Sequence, residues 1–169
     1  MEQKEKNWNE GLKFIIEHIN EELTEEFILK LHKILLKDIF PESKLGKYKE
    51  CANHIKGKNT CPPELVHDRI QQLLNYYNNE EDKDIVSLEQ FHVLFGRIHP
   101  FIDGNGRIIR LITFKESIKN GLIPIYIDND LNTICSYAVD KYFEDSHLLD
   151  NVFIYAQKQW LKNNIQLSY

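Results

Sequence analysis

The sequence is poor in the features that would take it out of the ordinary globular class. It has three cysteines, Cys51, Cys61 and Cys135, an odd number without a C-x-x-C pair. That disfavours a disulfide frame and a cysteine zinc site, and it fits the reduced thiols of a cytosolic protein. No apolar run approaches the ~20 residues needed to span a bilayer, so no membrane association is expected. The first ten residues, MEQKEKNWNE, lack the apolar stretch of a secretory signal, so the expected location is cytoplasmic. An excess of positive charge is missing too. With 21 Lys+Arg against 26 Asp+Glu the net charge is −5, so the surface as a whole is not built for nucleic acid. Any anion site must be a local concentration of positive charge.

What is present suits one helical domain. At 169 residues, with 42% apolar and 28% charged side chains, the chain has the size and composition of a single globular unit, taken as residues 1–169. Near-helical apolar spacing runs over residues 7–20, and Thr24 opens a second run with Phe27, Ile28, Leu31, Ile34 and Leu35. Between residues 40 and 63 the period is lost, prolines and glycines punctuate, and residues 48–55 suggest a short hairpin. Pro62-Pro63-Glu64 reads as a helix start, and Ser87 with Gln90 resembles a capping box for a helix that Pro100 ends at His99. Another helix runs from Gly106 to a stop at Gly121, an extended link covers 124–130, and two more helices over about 131–143 and 147–164 finish the chain. The fold class is all-α, a bundle of about seven helices with one short hairpin. His92 reads as a helix-face residue, and the histidines lack metal-ligand spacing, so no zinc is assigned.

One stretch concentrates chemistry: HPFIDGNGRIIR, residues 99–110. Gly104-Asn105-Gly106 can aim successive N–H groups at one point, and the helix beginning there adds its unpaired N–H groups and positive dipole end. Arg107 and Arg110 are three residues apart on one helix face and can grip phosphate oxygens in the same neighbourhood. Asp103 beside a phosphate cradle calls for a cation between them, and Mg²⁺ held by one carboxylate plus substrate phosphates meets that need. His99 is the group able to take a proton near neutral pH. A merely well-capped helix with surface arginines is the competing description, but it has no use for all of these residues at fixed offsets.

At every defining position this stretch resembles the motif of the Fic family, HPFx(D/E)GNGRxxR. The likeness extends to LHKILL from Leu31, GKYK at Gly46, NHIKG, CPPELV and FHVLFGRIHPF, in family order, over about residues 10–160. Members of that family transfer the AMP part of ATP to a Ser, Thr or Tyr hydroxyl of a target protein and release pyrophosphate. The resemblance implies that His99 is the base and Asp103 holds Mg²⁺. It implies that Gly104, Asn105 and Gly106 bind the phosphates, that Arg107 contacts the α/β-phosphate region and that Arg110 contacts the γ-phosphate. Phe101 would anchor the loop, and Tyr137 falls in the helix that borders the adenine in relatives. Residues 46–57 match the family flap, whose strand edge presents the target, with Lys47 and Lys49 standing where many relatives have arginine. Transfer of UMP or GMP, self-modification, or a non-catalytic nucleotide-binding interaction module remain open beside AMP transfer.

Many relatives also carry an inhibitory (S/T)xxxE(G/N) motif whose glutamate pairs with the second motif arginine. Glu10-Gly11 is the one Glu followed by Gly or Asn, but Lys6 occupies the Ser/Thr position. Ser146 with Asp150-Asn151 imitates the motif with Asp and reads better as a helix cap. The expectation is no strong internal brake. The protein is then unbraked, or a separate antitoxin-like partner or an upstream segment supplies the glutamate.

Overall fold

Apolar periodicity becomes helix almost throughout the computed structural model, which describes residues 2–165. The order is α1 (Gln3–Glu17), α2 (Glu25–Leu36), β1 (His54–Ile55), β2 (Lys58–Asn59), α3 (Val66–Asn78), α4 (Ile85–Ile98), α5 (Asn105–Lys119), α6 (Asn129–Lys141) and α7 (His147–Asn164). Single 3₁₀ turns at Glu42–Lys44 and Pro63–Leu65 precede the hairpin and α3. Helix α5 is the central strut and packs against α1, α2 and α4. Every residue from Ile108 to Ser117 is buried, so this helix has no solvent face. Two of its buried charges answer each other: Lys115 Nζ lies 2.7 Å from Glu116 Oε1 and donates to Glu21 O, while Tyr77 O–H donates to Glu116 Oε2 at 3.1 Å. Gly11 lets α1 approach: a Cβ there would stand 2.9 Å from Leu111 Cδ1 and 3.0 Å from Leu35 Cδ2.

Several boundaries differ from the sequence reading. Helix α1 starts four residues before the expected residue 7 because its first turn is polar, and buried Asn7 donates to Leu35 O (3.1 Å) and Lys37 O (2.7 Å), securing the end of α2. The cap of α4 is Asp84 and not Ser87. Asp84 Oδ1 accepts from the N–H groups of Val86 and Ser87, and the Ser87 hydroxyl accepts from Asp84 N–H, a capping box displaced by one turn. Thr24 caps α2 as its sequence suggests, accepting from Phe27 N–H at 3.1 Å. Helix α6 begins at Asn129 behind an Asp128 cap. A Schellman closure ends α5, with Gly121 at φ 74° and bonds Leu122 N to Ser117 O and Gly121 N to Ile118 O.

The hairpin is later and shorter than expected. It spans residues 54–59, pairs His54 with Asn59 and Ile55 with Lys58, and turns at Lys56 and Gly57, both at positive φ, as a two-residue type I′ loop requires. Residues 46–53, read as part of the flap hairpin, form no strand. Their polar groups bond to the loop after α4 instead, as the Lys49 N–H does to Pro100 O at 2.8 Å. Asp84→Ala is expected to lower stability by about 1 kcal/mol through loss of the cap. Gly11→Val should lower it by about 1–3 kcal/mol through overpacking against α2 and α5, with urea denaturation measuring both.

Candidate active site

The site is built where α4 stops and α5 starts. Pro100 excludes the α conformation at His99, which instead adopts a left-handed turn (φ 49°, ψ 61°) while its N–H closes on Phe95 O at 3.0 Å. The chain then plunges, burying Phe101 completely against His32, with ring centroids 4.1 Å apart and planes 10° from parallel. Asn105 fixes the return: its Oδ1 accepts from Phe101 N–H (2.9 Å) and its Nδ2 donates to Phe101 O (2.8 Å). Gly104, at φ 85°, begins α5 with its α-carbon so close to α2 that a Cβ would meet Leu36 Cδ2 at 2.6 Å. No side chain caps α5, so the N–H groups of its first turn are left for a ligand. Directly over them Gly106 is exposed, with nothing within 4 Å of where a Cβ would lie.

This turn opens into a cavity of about 790 Å³. His99, Asn105, Gly106 and Arg110 line it together with Ile55 and Lys58 of the hairpin and Asn132 and Cys135 of α6. The hairpin is strapped to α6 by Lys58 Nζ to Asp140 Oδ1 (2.7 Å) and Lys56 Nζ to Ser136 O (3.4 Å). Arg110 is buried, and its acceptors are all neutral: Gly106 O, Ile127 O, Asp128 O and Asn129 Oδ1. Trp8 covers the guanidinium at 4.8 Å and donates its indole N–H to the Tyr126 hydroxyl.

Asp103 and Arg107 lie outside the cavity lining and pair with each other, Nη2 to Oδ2 at 3.2 Å. Asp103 Oδ1 also accepts from Gly104 N–H, and Arg107 Nη1 donates to Leu35 O. The Asp103 side chain is 47% exposed, beside the start of α5, and keeps free lone pairs on both oxygens. A half-exposed carboxylate beside a helix start without a side-chain cap fits the donor set of Mg²⁺. Tyr137 does not line the cavity: it is 53% exposed, while its α6 neighbours Cys135, Ser136, Val139 and Asp140 face inward.

Burial holds the His99 imidazole below its ordinary pKa, and the Lys49 ammonium adds to this. The Gly96 carbonyl and the Asp103 carboxylate pull the other way. His92 is buried beneath the cavity and pushed down to about 3, first by burial and then by Arg110; its Nδ1 bonds to Thr113 Oγ1 at 2.8 Å. Cys135, 3.8 Å from His92 Nε2, is pushed up to about 12 by burial and so is a thiol. Glu10 is exposed on α1 while Gly11 packs inward, and Arg110 forms no ion pair among the described residues.

A family model described as Fic/DOC family matches residues 22–115, more than half of the chain. The chain belongs to the Fic/DOC family. A probable protein adenylyltransferase of Aquifex aeolicus (strain VF5) is 39% identical over 69 residues, which are 40% of this chain and 22% of that protein. The Caenorhabditis elegans protein adenylyltransferase fic-1 is 24% identical over 111 residues, covering 64% of this chain and 22% of the relative. The matches thus span about a fifth of these relatives' length. Among solved structures, a Fic-domain signalling protein of Bacteroides thetaiotaomicron superposes with TM-score 0.76 at 25% identity, over 95% of this chain and 69% of that one. A 134–508 fragment of C. elegans Fic-1 gives 0.78 at 19% identity, over 96% and 52%, a likeness of fold.

The sequence reading missed Trp8, Asn53 and Thr60, and it placed Lys49 as a flap charge. Lys49 is in fact buried, with its ammonium on Asn53 and Thr60, and only Lys47 is exposed. Lys49, Asn53 and Thr60 lie in a non-periodic stretch, where spacing carries no signal, whereas Trp8 falls in the apolar run of α1 and reads there as a packing residue.

The two glycines separate fold from ligand binding. Gly106→Ala is expected to leave urea stability unchanged or slightly raised, while weakening ATP binding at least tenfold in titration calorimetry. Asn105→Ala should lower stability by about 1–3 kcal/mol by leaving buried Phe101 groups unpaired.

Proposed function

We propose that this chain is a protein adenylyltransferase that transfers AMP from Mg²⁺-bound ATP to a Ser, Thr or Tyr hydroxyl of a target protein, its own surface hydroxyls included. The observation that carries this reading is the conjunction of an uncapped helix start, a buried arginine and a histidine held neutral by its surroundings, all facing one cavity. The names of the relatives at 39% and 24% identity support it.

In this reading the N–H groups at the start of α5 hold the phosphate chain, and Arg110 binds its terminal part from the cavity floor. Asp103 would hold Mg²⁺, which offsets phosphate charge when bound; Arg107 orients that carboxylate. His99 accepts the proton of the attacking hydroxyl. The hydroxyl oxygen bonds to the α-phosphorus, the bond from that phosphorus to the bridging oxygen breaks, and pyrophosphate leaves. The hairpin edge over the cavity suits a target segment added as a further strand, which would align the hydroxyl without reading many side chains. No carboxylate among the described residues pairs with Arg110, so inhibition of the family type calls for a glutamate from a separate partner or another segment.

Incubation with Mg²⁺ and ATP labelled at the α-phosphate should transfer label to protein in a lysate. His99→Ala should abolish transfer, EDTA should abolish it, and γ-labelled ATP should transfer none. Label from the γ position would mean a kinase, and nucleotide binding without any transfer would mean a binding module. Because His99 is held below 6.5, its base form already prevails at pH 7. The rate should therefore fall as acid protonates His99, with the inflection below the ordinary histidine value.

A further inference from the structure

Lys49 is 5% exposed, yet among the described residues no carboxylate pairs with it. Its ammonium donates to Asn53 Oδ1 (2.7 Å), Thr60 Oγ1 (2.7 Å) and Ile98 O (3.3 Å), and its backbone N–H donates to Pro100 O (2.8 Å). Two sets of groups meet here. Ile98 and Pro100 are the residues on either side of His99. Asn53 and Thr60 are the residues flanking the hairpin on either side, themselves joined by Thr60 N–H to Asn53 O at 3.4 Å and by the Thr60 hydroxyl to the Asn53 side chain. Asn53 Nδ2 reaches on to Phe101 O at 3.0 Å.

We propose that Lys49 is a positioning residue that couples the hairpin to His99, holding the left-handed turn of the base in register with the strand edge over the cavity. The role of His99 as base is taken from the function proposed above; the coupling is a statement about the chain itself. An ammonium has three N–H donors, and all three are spent on this junction. A left-handed non-glycine residue costs of order 1 kcal/mol or more and persists where its surroundings over-determine it. Carbonyls held on both flanks supply that restraint. The placement also lays a positive charge beside the imidazole. The charged groups that face His99 are Lys49 from the approach to the hairpin and Asp103 from the loop, and their effects on the ring oppose each other.

Hydrogen exchange and NMR of the full chain test this without requiring transfer activity. In Thr60→Val, which removes one acceptor, amide exchange should quicken at least tenfold both in residues 54–59 and at the Phe101 N–H that Asn105 holds. Quickening confined to the hairpin would overturn the coupling. In Lys49→Met, provided circular dichroism shows it folded, the His99 ring should titrate nearer 6.5 than in the parent, and Lys49→Arg should restore the parent value. A His99 titration unchanged in folded Lys49→Met would also overturn the proposal. If transfer occurs, Lys49→Met should reduce kcat at least tenfold while KM for ATP stays within twofold. If the parent transfers nothing, the exchange and titration results still decide the coupling, and only the proposed function falls.

Discussion

The reciprocal bonds between the Asn105 side chain and the Phe101 backbone are what the rest of the site depends on. They close the five residues from Phe101 to Asn105 on themselves, so that the end of α4 and the start of α5 form one rigid corner. With the corner closed, the uncapped N–H groups of α5 have a fixed aim, Gly104 can lie against Leu36, and His99 stays at the cavity rim. The Phe101 ring extends the same constraint downward by stacking on His32, whose Nδ1 accepts from Gly46 N–H where the chain turns toward the hairpin. The corner therefore joins α2, α4, α5 and the loop before the hairpin.

A second regularity is electrical. The protein is acidic overall, yet two cations close to His99 and the start of α5 are buried and held by neutral oxygens: Lys49 by two carbonyl-type groups and a hydroxyl, Arg110 by carbonyls and an amide. A carboxylate partner would cancel the field, whereas dipoles satisfy the donors and leave the charge effective. Arg107 is the exception and shares its charge with Asp103. Lys115, deep in α5, is paired with Glu116 and belongs to the core rather than the cavity. The difference between these cations separates charge left without a counter-charge from charge neutralised for packing.

Legibility in the sequence followed the physics of each region. Helices with an apolar face could be placed, and the corner could be read because Pro100 restricts the backbone before it and Gly104 frees the backbone for a positive φ, both visible residue by residue. The start of α1 was obscured because residues 3–6 are polar and carry no apolar period, and Asn7 showed nothing of the burial that its bonds to Leu35 O and Lys37 O give it. The α4 cap was displaced by a turn because Ser87 is both a good cap and a good third residue for Asp84. The hairpin register could not be read, since residues 46–53 form no strand and leave no alternating pattern: Lys49 N–H bonds to Pro100 O and Gly46 N–H to His32 Nδ1 instead. Tyr137 shows the limit of transfer by resemblance: one helical position, about 100° of rotation, separates a residue that faces the cavity from one that faces solvent.

The contact between Trp8 and Arg110 makes the first helix an optical witness of the cavity. Trp8 is one of two tryptophans, and both touch Tyr126, Trp8 through its indole N–H and Trp160 at 6.2 Å between ring centroids. A guanidinium against an indole perturbs its excited state, and an anion drawn to Arg110 changes the charge the indole feels. Emission from α1 would then carry information about a cavity lined by α5, without any added label.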